Sequence, residues 1–282
     1  MSETASGSYF IGTELMEEMV RLMEQDHLFT QAMGGPWGEL PLHGINRVLD
    51  VGTGAGGWAL EVAFQHPEVE VMGIDISDTM LEYAEVQAEA QGLSTIRFLK
   101  KDISVLPLDF PDASFDLVNA RLLAFFTPDF WPRLVQEYVR MTRPGGLIRL
   151  TETEMSVSNS PALEQEQAWF FRSLWKAGQS FSANGERLTI TAMLPSLLRQ
   201  AGCQNVNVRA YAIDWAFGTP AHETMCLNVS TAMRLLQPFF LATGVATQQA
   251  MDQVYEQMRA EMHQPAFSAV HYLLTASGEK AW

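Results

Sequence analysis

Three glycines, Gly52, Gly54 and Gly57, stand at the spacing G-x-G-x-x-G, directly after the apolar run Val48 to Val51 and directly before a helical segment from Trp58 to Gln65. In that context the backbone turns sharply and comes close to a ligand, and a side chain would stand in the way. Such a turn holds an adenosine-containing cofactor at the carboxyl end of a strand. Asp75 ends the second strand, where a carboxylate accepts both hydroxyls of a ribose. These residues fit two cofactor chemistries. A nicotinamide dinucleotide would set its pyrophosphate on the helix N-terminus. A cofactor with an amino acid end, a ribose and an adenine but no phosphate needs acceptors where a dinucleotide needs donors.

The wider constellation separates the two. Asp50 precedes the first glycine, Asp102 follows the third strand, and Pro144-Gly145-Gly146 precedes the fifth. Together, across residues 47–151, they resemble the motif series of the class I S-adenosylmethionine-dependent methyltransferases. The resemblance implies that Asp50, Gly52, Thr53 and Gly54 hold the methionine end and that Asp75 takes the ribose. It further implies that Ile76 and Met80 pack on the adenine, that Asp102 accepts its amino group, and that the Ile103 amide donates to a ring nitrogen. Asn119, Ala120 and Arg121, at the exit of the fourth strand, would line the methionine portion. A narrower likeness, in Tyr9, Glu18, Arg21-Leu22, Gln25, His27 and Trp58-Ala59, is to a subgroup of secondary-metabolism methyltransferases that includes the LaeA-like proteins. It would place Tyr9 and Gln25 near the cofactor carboxylate.

Methyl transfer from a sulfonium is an in-line displacement in which positive charge disperses, so a dry pocket with aromatic walls suits it. Aromatic residues cluster at Phe125, Phe126, Phe130 and Trp131, at Trp169, Phe170, Phe171 and Trp175, and at Trp215 and Phe217. They point to a small apolar or aromatic acceptor. A hydroxyl acceptor also needs a general base. Position along the chain favours His222, His27 and Glu152, with Glu154 beside the last. His43 and His66 precede strands, on the far side of the sheet, and His271 falls within a strand, so all three are set aside. Arg121 would suit an acidic acceptor group.

The elements that must carry these residues follow from periodicity. Short apolar runs alternate with helical segments from Arg47 to Ala120, as in βαβ units with a parallel sheet. Strands are expected at Val48 to Val51, Glu70 to Ile74, Ile96 to Lys100, Phe115 to Asn119 and Gly146 to Thr151. Two more, Val206 to Ala212 and Phe267 to Thr275, are joined by about fifty residues, far more than a hairpin needs. The expected fold is α/β and Rossmann-like: a seven-stranded mixed sheet whose last strand is antiparallel, with helical N-terminal and C-terminal lid elements. Residues 1–44 would form an N-terminal helical lid and 45–155 the cofactor core. Residues 156–282 would complete the sheet, with a helical insertion near 219–264 over the acceptor site.

Composition limits the function classes. The chain has 282 residues, 47% of them hydrophobic, and a net charge of −15. An acidic surface makes nucleic acid a poor partner. Two distant cysteines, Cys203 and Cys226, give no metal-ligand or disulfide pattern. No apolar run approaches the roughly eighteen residues of a membrane span, and Met1-Ser2-Glu3-Thr4-Ala5 does not begin like a signal peptide. The expectation is a cytoplasmic enzyme without a metal, a homodimer being compatible with the sequence. The same fold also admits a non-methylating pericyclic or isomerising enzyme, or a cofactor-binding regulator.

Overall fold

The computed structural model describes residues 16–38, 40 and 44–282; Tyr9 lies outside them. Val48, Leu49 and Val51 are fully buried, so the strand that bears them, β1 (Arg47–Val51), is covered on both faces. β2 (Glu70–Asp75) and β3 (Ile96–Lys100) extend the sheet on one side of β1, and β4 (Phe115–Arg121) and β5 (Thr142–Ser158) on the other, all parallel. β6 (Cys203–Asp214) and β7 (Ala269–Lys280) close it antiparallel, in the order β3-β2-β1-β4-β5-β7-β6. The order reverses at β1 and β4. In an open α/β sheet, that switch point leaves a crevice at the carboxyl ends of the strands.

Helices cover both faces. α2 (Gly57–Gln65) and α3 (Asp78–Ala90) pack on one face through Trp58, Ala59, Leu81 and Ala84. α4 (Trp131–Met141) and α6 (Ile190–Gln200) pack on the other through Leu134, Tyr138, Leu194 and Leu198. A third apolar cluster joins α1 (Met16–Ala32), α5 (Pro161–Lys176), α7 (His222–Thr243) and α8 (Gln248–Met262). Among the described residues no helix is long and apolar enough to cross a membrane.

Three strands, β5, β6 and β7, run at least three residues longer than their sequence pattern. β5 begins at Thr142, which pairs with Phe115, and the register then jumps to Leu117 opposite Leu147. The Pro-Gly-Gly segment is thus a bulge within β5 rather than a turn before it. Gly146 is obligatory there, because a Cβ would lie 2.7 Å from Thr142 and 2.8 Å from the Asp116 carbonyl. The far end of β5 continues to Ser158 because β7 supplies ladder partners as far as Ala269. β6 and β7 gain residues at their ends for the same reason. Gln204 and Asn207 pair with Glu279 and Ser277 through the backbone, although their side chains carry no strand signature.

One buried acid is left over by this packing. Glu166, on α5, is fully buried and neither carboxyl oxygen has a hydrogen-bond partner. Burial pushes its pKa up to about 8. The folded state therefore binds more protons than the unfolded chain between the ordinary carboxylate range and pH 8, and stability falls as pH rises through that window. Glu166→Met should raise the melting temperature at pH 8 by on the order of 5 °C. The gain should shrink at pH 5, as thermal denaturation at both pH values will show.

Candidate functional site

The turn after β1 is shaped by one acid. Asp50 is buried, and its two oxygens accept from Thr53 Oγ1 and Asn119 Nδ2, each at 2.7 Å. Burial pushes its carboxyl up to about 6, against the pull of the Arg121 charge and of these two hydrogen bonds. Gly52 has φ +67°, and a Cβ there would come within 2.8 Å of Leu123. A Cβ on Gly54 would meet nothing within 4 Å; its backbone faces an open cavity.

That cavity measures about 590 Å³ and runs from the turn to the helices of the third cluster. At its near end, Asp75 Oδ2 accepts from the Gly54 amide at 2.9 Å and Oδ1 from the Ser77 amide at 3.0 Å. The α3 cap is Ser77, whose hydroxyl accepts from the Met80 amide. Asp75 is therefore not spent on capping. Ile76 and Met80 line the same end, as do Asp102 and Ile103. Asp102 Oδ1 accepts from the Ser104 amide and hydroxyl at 2.9 and 2.7 Å, turning the 102–104 loop back on itself.

α1 lies along the cavity. Arg21, Gln25, Asp26 and Phe29 all face it, as the period of 3.6 residues permits. Arg21 Nη1 donates to Gln25 at 2.9 Å and to Asn228 of α7 at 2.8 Å, binding the two helices together. Arg121 pairs with Asp26, donates to Thr30 at 3.0 Å, and lies 6.0 Å from the Trp58 ring.

The far end is apolar, walled by Phe125, Phe126, Phe170, Leu174, Met233 and Leu236. Two titratable side chains face it. Glu152 is 2% exposed; Oε1 accepts from the Leu123 amide at 2.6 Å and Oε2 has no partner. Burial raises its pKa to about 8, helped by the charge of Glu154 and opposed by the Leu123 hydrogen bond. His271 is held between Thr153 Oγ1 at 2.8 Å and Ser156 Oγ at 3.0 Å, stacked on Phe29, and burial lowers its pKa to about 4.

Several sequence expectations are corrected. His222 is 2% exposed and packs against Trp215, Phe217 and Phe267, away from the cavity, because α7 turns that side toward β6 and α8. His27 is exposed and bonds Gln31 at 2.8 Å; it sits one residue past Asp26, a rotation of about 100° that carries it off the cavity face. Asn119 and Ala120 are buried in the sheet and do not line the cavity; the chain leaves the sheet only at Arg121. Asn119 acts through Asp50 instead. His271, set aside as a strand residue, does line the cavity, since alternation along β7 turns Ala269, His271 and Leu273 inward. Of the aromatic clusters, Phe125, Phe126 and Phe170 reach the cavity, while Trp131, Trp169 and Trp215 are core.

The sheet order, the glycine turn at the switch point and the acids on successive loops define a Rossmann-like class I methyltransferase fold. Residues 48–146 match the family model described as a methyltransferase domain. The demethylmenaquinone methyltransferase of Geobacillus kaustophilus is 37% identical over 108 residues, which cover 38% of this chain and 45% of that protein. The chain thus spans less than half the length of this relative. Among solved structures, the YcgJ protein of Bacillus subtilis superposes with a TM-score of 0.55 at 17% identity, covering 89% of this chain and 99% of that one. The phosphoethanolamine N-methyltransferase 2 of Haemonchus contortus, in complex with S-adenosyl-L-methionine, gives 0.53 at 19% identity, covering 92% and 52%.

The residues present fit that cofactor. Acids Asp26, Asp50, Asp75 and Asp102 face one cavity, and the Gly54 amide is already committed to a carboxylate. A pyrophosphate would meet repulsion there; a ribose, an ammonium and an adenine amino group meet acceptors.

Proposed function

We propose that this chain methylates a small, apolar, oxygen-bearing acceptor of the secondary-metabolite or quinone type. The observation that carries the reading is one continuous cavity joining an acid-lined turn to an aromatic chamber bordered by Glu152, whose buried Oε2 has no hydrogen-bond partner among the described residues. The relative acting on demethylmenaquinone supports an apolar ring as acceptor.

When bound, the cofactor supplies a sulfonium methyl group open to displacement by a nucleophile. Asp75 would accept from the ribose hydroxyls, Ile76 and Met80 would cover the adenine, and Asp102 with the Ile103 amide would read its edge. Thr53 and Asn119 fix Asp50, and Asp50 fixes the turn. Phe125, Phe126 and Phe170 exclude water from the acceptor end. In its ionised form Glu152 takes the proton from the acceptor hydroxyl and becomes the neutral acid; a pKa near 8 makes that form a minority at neutral pH and the major form above pH 8. The described residues 16–38 of the N-terminal segment and the helices at 219–264 serve as covers, one over the cofactor end and one over the acceptor end. In the described part of these segments, α1 and α7 form cavity walls tied by Arg21 and Asn228.

Calorimetry with S-adenosylhomocysteine, followed by mass spectrometry of apolar phenols and hydroquinones incubated with protein and S-adenosylmethionine, tests this. Saturable binding and a product heavier by one methyl group are expected. Absence of binding at millimolar ligand would overturn the reading, and a product isomerised without methyl gain would replace transfer by rearrangement.

A further inference from the structure

Asp50 is the acid that the motif resemblance assigns to the methionine end, yet both of its oxygens already accept short hydrogen bonds and it is 4% exposed. The amino group of the cofactor needs a carboxylate more open to the cavity than the buried Asp50. One such group lies on α1. The Asp26 side chain is 22% exposed, lines the cavity beside Gly52, Gly54 and Gly57, and pairs with Arg121. Gly57 makes room for it, for a Cβ on Gly57 would overlap the Asp26 carboxylate. This gives the third glycine of the motif a task in this chain, which is to admit an acid from the leading helix.

Resting on the cofactor reading above, we propose that Asp26 and Arg121 form a clamp for the zwitterionic amino acid end: Asp26 takes the α-ammonium and Arg121 the α-carboxylate. Without ligand the two side chains satisfy each other. With ligand, two charges meet two opposite charges, so no net charge is buried in the half-enclosed site. Arg121 keeps its place through Thr30 and the Trp58 ring while it changes partner. The clamp makes the cofactor's amino acid end, rather than its adenosine, the part read by α1.

The test is a cycle of ligands and variants measured by calorimetry. Wild-type protein and Asp26→Asn are each titrated with S-adenosylhomocysteine, with its deaminated analogue bearing a hydroxyl for the amino group, and with 5′-methylthioadenosine, which lacks the amino acid end. The clamp requires Asp26→Asn to weaken S-adenosylhomocysteine at least tenfold, to leave 5′-methylthioadenosine unchanged, and to abolish the wild-type preference for the amine over the hydroxyl. Equal loss for all three ligands would make Asp26 a merely structural residue, and unchanged S-adenosylhomocysteine affinity would remove it from the site; either overturns the clamp. Should the variant not fold, the wild-type titrations decide alone: a preference for the amine of less than tenfold overturns it. Failure of wild-type protein to bind any of the three defeats instead the cofactor reading on which the clamp rests.

Discussion

Asp75→Ala will weaken S-adenosylhomocysteine binding by at least a hundredfold while leaving the chain folded. Both carboxylate oxygens are oriented by backbone amides, Gly54 on one and Ser77 on the other, so the group is fixed before ligand arrives. Each oxygen retains a lone pair for a ribose hydroxyl. A hydrogen bond to an ionised acceptor contributes about 1.5–3 kcal/mol, and about 1.4 kcal/mol is tenfold in affinity; two such bonds give roughly a hundred- to ten-thousandfold. The structural cost is smaller, because the half-buried Gly54 amide borders the cavity and regains water, and the Ser77 cap of α3 is untouched. A fall in melting temperature of no more than about 5 °C is expected. Calorimetry and thermal denaturation of the same preparation separate the two effects. A stable variant with wild-type affinity would contradict the assignment of the ribose to Asp75.

The glycine-turn end of the cavity was legible in the sequence because strand ends fix where most of its lining residues stand, Asn119 and Ala120 excepted. The ends of β1, β2 and β3 deliver Asp50, Asp75 and Asp102 to one edge of the sheet, and strand patterning alone locates those ends. The acceptor half was legible only in part, because there the residues act where packing puts them. His222 and His271 illustrate the difference. Both lie in the C-terminal half, but the helix turns one away from the cavity, and a two-residue strand period turns the other into it. A polar residue at an inward position of β7 was the available signal, and its place within a strand set it aside. Asp26 left a signal too. Leu22, Asp26 and Phe29 share one helical face with Arg21 and Gln25 at its border, so the face of α1 turned toward the sheet is charged, which a purely structural helix avoids. The extended β5 left none, since its last residues are strand only because β7 lies beside them.

Glu152→Gln will lower kcat by a hundredfold or more and will remove the pH dependence that Glu152 imposes. The carboxyl is anchored at Oε1 by the Leu123 amide, which leaves Oε2, buried at the border of an apolar chamber, as the working atom. Its pKa of about 8 means that the base form grows as pH rises from 6 to 9. Wild-type kcat should therefore climb through that range, reach half its limit near pH 8 and level off above pH 9, whereas the glutamine variant, which cannot accept the proton, should be flat. Proton transfer by a placed side chain contributes roughly 10²–10⁴ in rate. His271 cannot substitute, for both ring nitrogens are engaged by Thr153 and Ser156. Stability moves the other way. A raised carboxyl pKa means that the folded state loses stability as pH climbs from the ordinary carboxylate range to 8, and glutamine, which never ionises, escapes that loss. Glu152→Gln should accordingly be at least as stable as wild type at pH 8 while nearly inactive, a pairing that misfolding does not produce. If the variant keeps both its activity and a rising pH profile, the proton leaves by another route and Glu152 serves only to seat the Leu123 loop.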